Sequence, residues 1–201
     1  MKKRLLLPLL LAGMWATPAM ASTYVSGYVG LGLLNNSEIK QAAVTYKNAV
    51  EYNTGVPFGV ALGYKSDDYR IEGAIGYQSH GIDRVLDSGV MTTVNNMDVS
   101  IWSFMANGYY DLSIKDSDVS PYLTAGLGLA TVSVKESSVT TYDDSVFAWQ
   151  VGAGVGIKAS KDVVVDLGYR YFKAADVTDK TGSTDISVSG SNILAGIRYN
   201  F

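Results

Sequence analysis

The sequence predicts an all-β chain: eight antiparallel strands closed up-and-down into a transmembrane barrel, preceded by a cleaved signal peptide. Three observations carry that expectation. Apolar residues recur at every second position through most of the chain, the opposite face is crowded with small residues, and the connections alternate long and short.

Residues 1–21, MKKRLLLPLLLAGMWATPAMA, begin with Lys2, Lys3 and Arg4 and continue through an apolar run from Leu5 to about Ala16. They close on Ala19 and Ala21, the small-residue pattern that signal peptidase accepts. The run is shorter than the roughly 20 apolar residues of a membrane-spanning helix, so cleavage after Ala21 is expected, leaving 22–201 as the barrel. Loss of the three cations takes the formal net charge from -3 to -6, which disfavours a polyanion such as nucleic acid as partner. With one histidine and no cysteine, a disulfide framework and a thiolate metal site are excluded and zinc has almost no ligands. No catalytic residue, cofactor or metal is expected.

Period-two alternation gives strands over Tyr24 to Leu34, Val56 to Tyr64, Tyr69 to Ser79, Val99 to Asp111, Pro121 to Ser133, Val146 to Lys158, Val163 to Lys173 and Val188 to Phe201. One face of each is large and apolar, as in Phe58, Val60, Leu62, Tyr64 or Val163, Val165, Leu167, Tyr169, Tyr171. The fourth strand offers two apolar series. The one through Trp102, Phe104 and Ala106 is assigned outward, because it turns Asn107 inward.

A soluble sandwich would show the same period, so the polar face must decide. Strands exposed to water normally carry Thr, Lys and Glu, whereas glycine in a strand packs nothing. Here that face reads Gly59, Ala61, Gly63 and Gln150, Gly152, Gly154, Gly156. Small residues suit the lumen of a narrow barrel. The gaps 35 to 55, 80 to 98, 134 to 145 and 174 to 187 are long; 65 to 68, 112 to 120 and 159 to 162 are short. That parity places all long loops at one end, as in outer-membrane barrels with short periplasmic turns. Tyr64, Tyr69, Tyr110, Tyr199 and Phe201 then cluster near the short-turn end, where aromatic rings can sit at the headgroup level.

The segments GYVGLGL, MANGYYDL, PYLTAGLGLA and FAWQVGAGVGIK, with an alternating last strand ending in Phe201, resemble the small OmpA-like or opacity-protein-like outer-membrane porin family. The resemblance covers essentially all of the chain after residue 21. It implies a Gram-negative outer-membrane location, contact with outer-membrane lipids and lipopolysaccharide, and insertion by the outer-membrane assembly machinery, for which Tyr199 and Phe201 would be the recognition signal. Surface antigens, adhesins and structural barrels all occur in that family. No peptidoglycan-binding domain is expected after the barrel.

Inward charges carry the most specific physics, because an unpaired ion in a confined lumen is costly. Arg70, Glu72, Gln150, Asp166, Arg170 and Arg198 are expected to form an interior polar network. Asp166 and Arg198 should touch, Glu72 should join them, and Gln150 and Asn107 should add neutral hydrogen bonds. The network is read as a structural plug, with an ion pathway as the alternative. The pair Ser79 and His80 in YQSHG suggests acyl-lipid chemistry, but consecutive strand residues face opposite ways. His80 is therefore read as a solvated loop-edge residue. GAGVGIK lacks the Lys-Ser/Thr ending of a phosphate loop. The long loops, rich in Ser, Thr, Asp and Gly, are expected to be wet and irregular. The exception is the second, whose Val85, Leu86, Val90 and Met91 suit a hairpin prolonged above the membrane. The function expected is therefore a non-enzymatic structural or surface-interaction barrel, with a small passive channel as the alternative and an acyl-lipid enzyme third.

Overall fold

In the computed structural model the described residues are 22–35, 37–41, 44–87, 90–93, 97–136, 139–175, 177–178, 184–186 and 188–201. The expected signal peptide lies outside them. In chain order the strands are β1 (Ser22–Leu34), β2 (Ser37–Gln41), β3 (Val44–Tyr52), β4 (Phe58–Ser66), β5 (Tyr69–Asp87), β6 (Val90–Thr93), β7 (Met97–Asp111), β8 (Val119–Glu136), β9 (Val139–Lys158), β10 (Val163–Ala174), β11 (Val177–Thr178), β12 (Thr184–Ile186) and β13 (Ser189–Asn200). Eight of them close a wall in the order β1-β4-β5-β7-β8-β9-β10-β13, with β13 pairing back to β1 and every pairing antiparallel.

Closure has a definite stagger. Paired residues lead from Tyr69 on β5 through Tyr110, Leu123, Ala153, Tyr169 and Ile193 to Leu31 on β1. The Gly32–Gly55 bridge beside Leu31 carries the path to Val56, and since Phe58 faces Tyr77 it returns to β5 at Ser79, ten residues above its start. That stagger in eight strands corresponds to a tilt of about 40° and an interior only wide enough for side chains.

The outer face is apolar, as the alternation requires. Leu31, Val60, Ile71, Leu127, Ile193 and Ile197 are all more than half exposed, a surface that water would penalise and lipid does not. On β7 the tryptophan series points out and Val99, Ile101 and Met105 point in. Two aromatic girdles bound the band. Tyr69–Tyr110 and Tyr199–Phe201 stack near the short turns, and Phe58–Tyr77–Trp102 with Trp149–Tyr171 stack toward the loops. Tyr64 departs from its expected girdle role: it is half-buried and its hydroxyl is shut off from solvent.

Two further expectations are corrected. The lumen is not small and ionic throughout. Its loop-side third holds an apolar cluster of Leu34, Val99, Ile101, Met105, Val132, Phe172 and Val188, sealed by Ala130, Ala148 and Ala174. These residues share the inward parity but lie where the barrel needs packing rather than hydration. The loops are also more regular than their composition suggests. Above the wall, β11-β12-β2-β3 pair in sequence onto the upper part of β5. The prolonged second hairpin is present, with Leu86 opposite Met91. The β8–β9 hairpin likewise rises to Glu136 opposite Val139.

Candidate functional site

Strand parity sets the lower lumen residue by residue. On β5 the inward positions Arg70, Glu72, Gln78 and His80 alternate with the lipid-facing Tyr69, Ile71 and Tyr77. On β7 the same parity delivers Asn107, Tyr109 and Asp111. Arg70 grips Asp111 with two nitrogens, Nε and Nη2 lying 3.0 and 2.8 Å from Oδ1. Lys65 Nζ closes on the other carboxylate oxygen. The guanidinium of Arg70 also lies 4.1 Å from the ring centre of Tyr109 and 5.1 Å from that of Tyr122, so cation–π contacts add to the ion pair.

Arg198 Nη2 lies 3.4 Å from Asp166 Oδ1, and its guanidinium stands 5.6 Å from the Tyr24 ring. Among the described residues Glu72 meets no cation at ion-pair distance. Its Oε1 instead accepts from Tyr109 OH at 2.7 Å and Asn107 Nδ2 at 3.0 Å, and its Oε2 accepts from Tyr24 OH at 3.0 Å. Gln150 Nε2 donates to Asn107 Oδ1 at 2.6 Å, extending the chain over Gly126 of β8 to β9. Arg170 sits higher, 5.0 Å from the Tyr28 ring, and pairs with no carboxylate among the described residues. It lines two cavities of about 50 and 20 Å³, the larger also edged by Glu72 and Asp166. That volume suits a few water molecules, not a continuous pore.

Lys65, Asp111, Tyr24, Tyr28, Tyr109 and Tyr122 escaped the sequence reading. The signal was available for Asp111 and Tyr109, which share the parity that turned Asn107 inward. Tyr24, Tyr28 and Tyr122 carry no such signal, because ring and hydroxyl serve a lumen or an interface equally well.

His80 is corrected outright. It is only 1% exposed, with Nδ1 3.1 Å from the carbonyl oxygen of Asn53. A side chain at Gly55 would put Cβ 2.5 Å from Nδ1, so that glycine makes room for the ring. Gly32 and Gly55 exchange backbone hydrogen bonds of 2.9 and 2.8 Å there, and His80 closes the seam where β3 leaves the wall. Ser79 belongs to the outer face, so the two residues form no nucleophile–base pair.

At the loop end, strand pairing brings three connections into one sheet. Ile186 of the fourth loop faces Ile39 of the first, and Val50 of the first faces Val85 of the second. Arg84 Nε reaches Glu51 Oε2 at 2.9 Å at the foot of this sheet.

A family model described as outer membrane protein beta-barrel domain matches residues 7–201. The chain belongs to the outer-membrane protein β-barrel family. Its home is the bacterial outer membrane. Among relatives, outer membrane protein PagN of Salmonella typhimurium (strain LT2) is 24% identical over 232 residues, covering 98% of this chain and 97% of that protein. An uncharacterized protein of Brucella abortus (strain 2308) is 27% identical over 199 residues, covering 78% and 69%. The crystal structure of Neisserial surface protein A superposes with a TM-score of 0.62 at 22% identity, covering 90% of this chain and 99% of that one. That likeness is one of fold, and it agrees with an eight-stranded barrel carrying lipid on its outside.

Proposed function

We propose that this outer-membrane barrel is a non-enzymatic surface-interaction protein of adhesin or antigen type, in which the wall and its lumen are scaffold and the loops are the working face. The observation that carries the reading is the pairing of three loops into one sheet above the wall. Ordered loops lose little conformational entropy on meeting a partner. Its similarity to PagN and to Neisserial surface protein A, both named for their place on the cell, fits this reading. The buried seam position of His80 and the outward Ser79 speak against acyl-lipid chemistry. The test is attachment of a non-adherent bacterium displaying the chain to epithelial cells. Replacing residues 36–54 by a short turn should abolish attachment while the barrel keeps its heat-modifiable mobility on gels; undiminished attachment would refute the proposal.

A passive channel has one observation in its favour, the charged cavities around Arg170. The apolar cluster above them opposes it, since a dry constriction stops ions. Planar bilayers should show no reproducible conductance steps. Steps that change in Arg170→Ala would move the assignment to a channel. Tyr199 and Phe201 serve as the assembly signal in this proposal. Phe201 is 72% exposed and supports nothing inside the barrel, so Phe201→Ala should lower outer-membrane levels while leaving the refolded barrel as stable as before.

A further inference from the structure

One buried titratable side chain takes no part in the ion pairs of the lower lumen. His80 stands on the loop side of Tyr77 of the upper girdle, where residues 53–57 pass between β5 and β1. Backbone hydrogen bonds hold that segment from both sides. Asn53 N–H donates to the Gly81 carbonyl on β5 at 2.8 Å; toward β1, Gly55 and Gly32 exchange bonds and Gly30 N–H donates to the Pro57 carbonyl at 2.9 Å. The His80 ring fills the space between. A Cβ on Gly55 or on Gly32 would sit 2.6 or 3.1 Å from its Cε1. Its Nδ1 donates to the Asn53 carbonyl oxygen, and its Nε2 has no hydrogen-bond partner among the described residues.

That bare Nε2 makes the seam sensitive to acid. A neutral ring needs only the Asn53 bond. Protonation keeps this bond but adds a charge and a second N–H that meets no acceptor, which a site closed to water penalises heavily. The elements packed around the ring offer no counter-charge: Gly32 comes from β1, Asn192 from β13 beside it, Val99 from β7, and Asn53 and Gly55 from the seam. Asp83, Arg84, Asp98 and Lys135 are open to water, and Glu51 is taken by Arg84. Arg170, which lines a cavity with Pro57 and Asn192, is itself a cation. A charged ring is therefore accommodated only outside its slot. We propose that His80 is an acid-sensitive latch, whose protonation drives the ring out and frees residues 53–57, the root of the first loop, from the wall. Any effect on attachment rests on the loops being the working face; the latch itself does not.

The test is amide exchange by NMR on the chain refolded as a barrel in lipid nanodiscs, with no added tag, so that His80 is its one histidine. Once out of the slot, the ring titrates like free histidine at about pH 6.5, so opening becomes about tenfold easier for each pH unit below that. Protection of the Gly30, Gly32, Asn53 and Gly55 amides, corrected for intrinsic rates, should fall about thirtyfold between pH 7.5 and 5.0. Exposed carboxylates stay mostly ionised over that range, and the wall amides of Val151 and Leu167 should not follow. His80→Asn keeps a neutral donor near the Nδ1 position and should make seam protection independent of pH. Should that variant fail to fold, the Cε1–H signal of the wild-type ring reads its charge, and its shift to the imidazolium form should track the loss of protection. Seam protection unchanged down to pH 5.0, an equal fall in His80→Asn, or a ring that becomes charged while the four amides stay protected would overturn the latch. Exchange is read whether or not the loops bind a partner, so its failure would leave the surface-interaction reading standing.

Discussion

Asp111 is the most heavily engaged single residue in the lumen, holding Arg70 through two nitrogens and Lys65 through one. Removing one partner of a buried ion pair leaves the other charge uncompensated, at a cost of about 3–5 kcal/mol. Lys65 is one-third exposed and can turn to water; Arg70 cannot. Asp111→Ala should therefore lower the unfolding free energy, read from urea titration of the barrel in lipid vesicles, by an amount near that range, and Lys65→Ala by much less. Equal effects would mean that Arg70 is not confined. His80 offers a second case at this scale. Its loss orphans the Asn53 carbonyl oxygen and opens a cavity, so His80→Ala should cost about 1–3 kcal/mol and speed amide exchange in residues 53–57. A variant of unchanged stability and exchange would remove the seam role. Neither role was legible locally. Asp111 ends a strand next to a turn, where a solvated carboxylate is ordinary, and a single histidine before a loop gives no sign that a later segment folds back over it.

At the scale of elements, composition that looked merely small turns out to be paired. Tyr24 lies opposite Gly63 and Tyr122 opposite Gly154. A Cβ on Gly63 would sit 2.2 Å from the Tyr24 ring, and one on Gly154 would sit 2.5 Å from the Tyr122 ring. Inward tyrosines thus lie flat across the neighbouring strand and cover glycine backbone, a cross-strand arrangement that pins register. Gly63→Val should displace Tyr24 from Glu72 and destabilise the barrel by about 1–3 kcal/mol, read again from urea titration; a neutral result would show that the ring is free to move. The strands themselves were legible because alternation is local: sequence and structure agree on starts at Tyr69 and Val163 and on ends at Leu34, Asp111 and Lys158. Strand pairing in the loops was not legible. β12 meets β2 only because the closed wall brings the first and fourth loops together, and Ser, Thr and Asp conceal the loop strands in a linear reading.

For the whole molecule, one principle decides where every side chain goes: no backbone group can be left unpaired in lipid, so the sheet closes on itself. Closure then separates an apolar exterior from a lumen of fixed width. That separation was readable from period two combined with the glycine-rich face. What the lumen contains at each height was not, because height depends on the stagger, and the stagger is a property of the closed circle rather than of any strand. The loop-side apolar cluster and the ion pairs below it are therefore structural findings.

The most direct test uses Trp102 and Trp149, the only tryptophans after Trp15, both on the outer face and 46% and 38% exposed. Residues 22–201, refolded as a barrel, are reconstituted in vesicles whose acyl chains are brominated just below the headgroups. Both tryptophans should be strongly quenched, with either one remaining quenchable when the other is replaced by Phe, and aqueous iodide should have little effect. Emission indifferent to bromine in folded protein would place those rings in a protein interior and contradict the inside-out barrel.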